Sequence, residues 1–170
     1  MVEEAKYSII KKVGKIEVRH YSPLIIAKVD GYADEGFDIL FKFISGNNKQ
    51  KSSIEMTAPL VSEKISMTAP VLSEVNSLSF IMPEGYTLKT TPHPIDDRVK
   101  IVELPERNVA VLRFSGIWST SVFKNKTKEL LEEVARAELE TEGNVFSMRY
   151  NSPFTPWFMR RNEVAIQINP

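Results

Sequence analysis

The chain has 170 residues, with 22 Lys and Arg against 22 Asp and Glu, two His and no Cys. This balanced charge supplies none of the sequence-independent attraction to phosphate that a nucleic-acid or anionic-membrane binder needs, so charged recognition must be local. The lack of cysteine excludes disulfides, thiolate nucleophiles and Cys-ligated zinc, iron–sulfur or haem centres. A chain of this length still buries about 70% of its unfolded surface and needs no such staple.

Residues Met1 to Lys6 lack the basic stretch and apolar run of a secretion signal, and no apolar run approaches the ~20 residues that span a bilayer. A cytoplasmic protein without a membrane span is expected. Alternating and β-branched residues predict strands at Tyr7–Lys12, Ile16–His20 and Pro23–Val29. A helix follows from Asp34 to about Ser45, with Phe37, Leu40, Phe41 and Ile44 at i, i+3, i+4 and i+7, and Gly46 as its stop. The stretch from Asn47 to Ser53, rich in Lys, Asn, Gln and Ser, reads as a mobile linker.

A short repeat comes next. Ile54-Glu55-Met56-Thr57-Ala58-Pro59 returns eleven residues later as Ile65-Ser66-Met67-Thr68-Ala69-Pro70. That period is too short for a unit that buries its own core, so a duplicated loop or edge segment is expected. Strands are predicted at Leu78–Met82, Val99–Leu104 and Asn108–Phe114. A second helix opens near Ser119–Ser121 and runs to about Glu142, its inner stripe and edge traced by Phe123, Thr127, Leu130, Leu131, Val134 and Glu138. Glu132 and Arg136 are placed for an outer i, i+4 pair, and Gly143 reads as the stop. Strands at Val145–Tyr150 and Glu163–Ile168 complete the chain.

A longer, weaker repeat organises these elements. The order strand, turn, strand, glycine, helix recurs at an offset of 85 residues, from Gly31 to Gly116. The chain therefore reads as one α+β domain of two βαβ-type halves, about 1–85 and 86–170. Its two amphipathic helices would bury their stripes on a shared antiparallel sheet, leaving a cleft between the halves.

No metalloprotease motif, phosphate-binding glycine loop or nucleophile elbow is present. His20, at a strand end, can ligate iron or satisfy a local hydrogen bond. His93, between two prolines, reads as an exposed linker residue. The methionines Met56, Met67, Met82 and Met148 read as core packing. The segment from Tyr150 to Glu163 is chemically distinctive. Phe154, Trp157, Phe158 and Met159 offer flat or polarizable apolar surface, two prolines stiffen the loop, and Arg160 and Arg161 are suited to carboxylates. A planar apolar ligand bearing carboxylates would suit it; equally, these side chains could plug the core beneath the second helix.

Val18-Arg19-His20-Tyr21, Phe43-Ile44-Ser45-Gly46-Asn47-Asn48, the paired Met-Thr-Ala-Pro segments and Tyr150-Asn151-Ser152-Pro153 followed by Arg160-Arg161-Asn162-Glu163-Val164 together resemble the SOUL haem-binding family over nearly the whole chain. The resemblance implies antiparallel strands in a distorted barrel or curved sheet with two helices packed outside, and kinship with effector-binding domains of bacterial regulators. It also implies non-enzymatic binding of haem or another tetrapyrrole, for buffering or transport, in an open apolar groove between the first helix and the 151–162 loop. Carried over by position, the ligand contacts are Phe37, Phe41, Lys42 and Ser45 from the helix and Phe154, Trp157, Phe158, Met159, Arg160 and Arg161 from the loop. Lys42 matches a basic family position suited to a propionate, and His20 is the candidate axial ligand. Where family members place a basic residue in the late loop, this chain has Thr155 and Pro156.

The expected partner is a small molecule, with no nucleic acid, and the expected state a monomer. Two other functions fit the sequence. One is an effector-binding module for a different amphipathic or cationic small molecule. The other is a small hydrolase using Glu17, Glu55 or Glu163 from within the cleft.

Overall fold

The computed structural model describes residues 3–31, 35–51, 53–66, 74–151 and 154–169. In chain order the strands are β1 (Glu3–Glu4), β2 (Ser8–Val13), β3 (Ile16–Tyr21), β4 (Leu24–Asp30), β5 (Thr57–Ser66), β6 (Glu74–Ile81), β7 (Val99–Leu104), β8 (Arg107–Phe114), β9 (Thr141–Arg149) and β10 (Asn162–Ile168). Helix α1 spans Gly36–Ile44, helix α2 spans Thr120–Arg136, and a 3-10 turn spans Trp157–Met159. The architecture is α+β with almost wholly antiparallel pairing, as expected. The chain forms two compact units, one of residues 1–5 and 23–105, the other of residues 6–22 and 106–170.

In the first unit β4 is central, paired antiparallel with β6 on one side and β7 on the other. β5 pairs antiparallel with β6, and β1 runs parallel to β5. Helix α1 buries Gly36, Ile39, Leu40, Phe43 and Ile44. They join Ala27, Val29, Leu78, Phe80 and Val99 in one core. The expected stripe is therefore turned. Leu40 and Ile44 point inward, but Phe37 and Phe41 stand outside, 43% and 47% exposed. Gly36 lies against Leu78, so the sheet meets the side of the helix that carries this glycine.

In the second unit β8 is central, flanked by β3 and β10; β2 pairs with β3 and β9 with β10. Side chains alternate across each strand, so the sheet has two distinct faces. One face carries Ile16, Val18, Ala110, Leu112, Val164 and Ile166, and is packed by Leu130 and Val134 of α2. The other carries Arg19, Tyr21, Val109, Val111, Met148 and Glu163, all buried.

All eight predicted strands are present. β1 was not expected, and neither was β5, which starts inside the first Met-Thr-Ala-Pro copy at Thr57. The second copy, from Met67 onward, falls outside the described residues. Helix α2 stops at Arg136, short of Glu142, because Glu138 takes the left-handed conformation (φ 55°) usually given to glycine at a helix end. Gly143 is instead a residue of β9. Leu131 is exposed, and Arg136 pairs with buried Glu133 rather than with Glu132. The expected linker at 47–53 is anchored: Asn48 is fully buried and donates to the Phe43 carbonyl at 3.0 Å. The Lys49 N–H donates to the His93 carbonyl, so His93 is backbone-paired although its side chain is exposed.

β3 and β4 are consecutive, as are β7 and β8, yet neither pair forms a hairpin. β3 joins β8 in the second unit, and β7 joins β4 in the first.

Candidate functional site

On the outer side of α1, the Phe37 and Phe41 rings stack with centroids 6.1 Å apart and planes 12° from parallel. Phe37 also meets Phe80 edge-on at 5.4 Å, which fixes its orientation. One helix position further on is exposed Lys42, and exposed Ser45 caps the C-terminus, its N–H donating to the Phe41 carbonyl. Within this unit the structure thus brings Phe37 and Phe41 into one aromatic ledge, with a cation beside it.

The 3-10 turn of the second unit does not plug the core. Phe154 is 94% exposed, and Trp157, Phe158 and Met159 are more than half exposed. The Trp157 and Phe158 rings meet edge to face at 5.6 Å. Pro156 precedes the turn, its carbonyl accepts from the Met159 N–H, and the Arg160 Nε donates to the Thr155 carbonyl at 2.9 Å. These bonds hold the apolar side chains outward on a stiff, closed turn.

Arg161 faces the opposite way from this surface. Its Nε donates to Glu163 at 3.0 Å, its Nη2 donates to the Tyr7 hydroxyl at 2.9 Å, and its guanidinium lies 3.9 Å from the Tyr150 ring centroid. Arg161 thereby belongs to a buried polar cluster. Both Arg19 Nη atoms donate to Glu163 at 2.8 Å, and the Arg19 Nε donates to Glu17 at 2.9 Å. Tyr7 covers Arg19 at 4.1 Å and tilts against Tyr21. Burial works to lower the Arg19 pKa, but the hydrogen bonds and charge of Glu163 outweigh it and the net shift is upward. Arg161 follows the same balance. The Tyr150 phenol is pushed up by burial first, and by the charge of Glu163 next.

Of the three glutamates considered as catalytic bases, Glu163 has both oxygens occupied by guanidinium donors. Glu17 is paired with Arg19, and Glu55 is exposed and outside the strands. The His20 Nδ1 lies 2.8 Å from the Asn108 side-chain oxygen, while Nε2 lies 3.6 Å from exposed Glu106, beyond hydrogen-bond distance. Among the described residues, no group of three or more acidic or His side chains could hold a metal ion, and no helix is long and apolar enough to cross a membrane.

Sequence reasoning did not single out Arg19, Tyr7, Tyr21 or Tyr150. The available signal was a pair of opposite charges, Arg19 within one predicted strand and Glu163 at the start of another, among otherwise largely β-branched residues.

Human Heme-binding protein 2 is 28% identical over 170 residues, covering 88% of this chain and 80% of that protein. Among solved structures, a hydrolase from Listeria innocua superposes with a TM-score of 0.64 at 13% identity, covering 94% of each chain. The EcmrR C-terminal domain superposes with a TM-score of 0.65 at 8% identity, covering 96% of this chain and 98% of that one. At such identities these structural likenesses show the fold alone. A family model described as SOUL heme-binding protein matches residues 2–167, and on that match the chain belongs to the SOUL haem-binding family.

Proposed function

We propose that this protein binds haem or a related tetrapyrrole as a non-enzymatic buffer or carrier, acting as a cytoplasmic monomer. The observation that carries this reading is the outward presentation of Phe154, Trp157, Phe158 and Met159 on a closed, hydrogen-bonded turn. Large apolar side chains concentrated in so short a segment mark an interaction surface rather than a failure of packing. The Phe37–Phe41 ledge of α1, with Ser45 and Lys42 beside it, is a second surface of the same character. Each is proposed as a contact for the macrocycle in its own right. Flat aromatic and thioether groups suit the faces of a tetrapyrrole, while Lys42 and Arg160 suit its propionates. Arg161 acts behind the turn, holding it to the buried cluster.

We propose capture of the macrocycle by apolar contact without iron ligation from His20, whose Nδ1 is hydrogen-bonded to Asn108 and whose Nε2 lies beside Glu106. An iron-free porphyrin would then bind about as well as haem. The test is titration with ferric haem and with protoporphyrin, following the Soret band and tryptophan quenching. Saturable binding of both is the expected result, with contact at the turn weakened at least tenfold by Trp157→Ala and contact at the ledge severalfold by Phe41→Ala. His20→Ala should leave the Soret maximum in place. Unsaturable binding indifferent to Trp157 would instead favour an effector module for a different amphipathic molecule.

A further inference from the structure

We propose that Arg149 and Trp118 form a receiving point for an oxyanion, the carboxylate or phosphate group of a small ligand, on the α2 side of the second unit. Arg149 closes β9 directly opposite Asn162 of β10, and Asn162 lies opposite Phe114 of β8. By strand alternation these three side chains form one row on the same face. Asn162 is buried and donates through Nδ2 to the Gly116 carbonyl at 3.0 Å, which ties the loop carrying Trp118 to that row. Trp118 stacks on Phe114 at 6.0 Å and tilts against Phe123 at 5.6 Å. Its indole is therefore held from two sides, and the Arg149 guanidinium lies over it at 5.5 Å.

Among the described residues, Arg149 lacks the carboxylate partner that four other arginines, Arg19, Arg98, Arg136 and Arg161, have. Its Nε is buried without a hydrogen-bond partner. The residue is half-buried and, among the described residues, neither Nη makes a hydrogen bond, so the outer end of the fork is where a ligand would meet it. The first turn of α2, which begins just after Trp118, holds no acidic residue to compete. Burial lowers the Arg149 pKa and no neighbouring anion offsets it. The indole face returns only part of the cost of desolvating a guanidinium. An oxyanion meeting the two Nη groups in their plane supplies the rest, through paired charge-assisted hydrogen bonds.

The chain has two tryptophans, so Trp157→Phe leaves Trp118 as the sole indole reporter. In that background, sodium benzoate and inorganic phosphate are titrated separately at constant ionic strength against a chloride baseline. A saturable change in Trp118 emission is expected with at least one probe, and which one responds separates a carboxylate from a phosphate source. Arg149→Gln should weaken that response at least tenfold and Arg149→Lys severalfold. Where Arg149→Gln fails to fold by circular dichroism, Arg149→Lys decides alone, and an unchanged dissociation constant overturns the proposal. So does the absence of any saturable response, or an equal one in Arg149→Gln; either leaves Arg149 as packing on Trp118. The readout is separate from Trp157 and porphyrin, so haem binding and this site fail independently.

Discussion

Arg19 and Glu163, 144 positions apart in the chain, meet through two hydrogen bonds of 2.8 Å between the strands that flank β8. Both side chains are almost wholly buried. In such a pair the cost of desolvation is large, and removing one partner leaves the other charged and uncompensated. Glu163→Gln should therefore cost about 3–5 kcal/mol in urea unfolding, with the buried Arg19 guanidinium left only the partly exposed Glu17 for balance. Adding Arg19→Met should cost less than the sum of the two single changes, because the double variant no longer buries that guanidinium.

The same cluster sets an alkaline limit. Burial raises the Tyr21 phenol against the opposing influence of Arg19, and raises Tyr150 further. A phenol whose folded pKa lies above its unfolded value stabilises the fold below the unfolded pKa, near 10, and loses that contribution as pH rises toward the folded value. In a spectrophotometric titration of the five tyrosines, Tyr21 and Tyr150 should remain protonated when the ordinary phenols have ionised. Their ionisation should coincide with loss of secondary structure. Tyr150→Phe should remove part of that coupling.

At acid pH the sensitive group is Asp96. Hydrogen bonds from the Arg98 side chain and backbone hold its carboxyl at about 2. A depressed folded pKa means stability present above the unfolded value near 4 and lost as pH falls through 2. Asp96→Asn should cost about 0.5–1 kcal/mol at pH 7, given a partly exposed pair. The gap between variant and wild type should close in thermal melts taken progressively from pH 4 down to pH 2.

Gly14 turns the β2–β3 hairpin with a φ of +56°, and a Cβ there would collide with the Glu133 carboxylate. That carboxylate accepts from the Lys15 N–H at 3.2 Å, joining the hairpin to α2. Gly14→Ala combines left-handed strain with displacement of Glu133, and should cost about 1–2 kcal/mol. Differential scanning calorimetry should show a melting temperature lower by about 3–6 °C.

Strand positions were legible because alternation is local, and eight segments carried it plainly. The rotation of α1 was not. Phe37 and Phe41 share the apolar period with Leu40 and Ile44, and periodicity does not say which neighbouring stripe meets the sheet when both are apolar. The end of α2 was misread because Glu138, not a glycine, adopts the left-handed residue. β5 was hidden by the proline in its first residues and by the short repeat. The aromatic turn was visible as composition, but its outward display depends on backbone bonds among residues 155–160 that no pattern encodes. Arg19, the buried partner of Glu163, comes from a strand far away in sequence, and only the register of β3, β8 and β10 brings the two together.

The exchange of leading strands gives the molecule an unusual covalent wiring. The chain passes between its two units at residues 5–6, 22–23 and 105–106. Each unit is built from two separate stretches of chain, so a cut at 22–23 leaves two fragments that only strand pairing holds together. Those fragments would stay associated through the β3–β8 and β1–β5 ladders, and once apart would need a bimolecular encounter to reassemble. A nicked chain would thus owe its cohesion to hydrogen-bonded ladders, because the backbone path alone no longer joins its two parts.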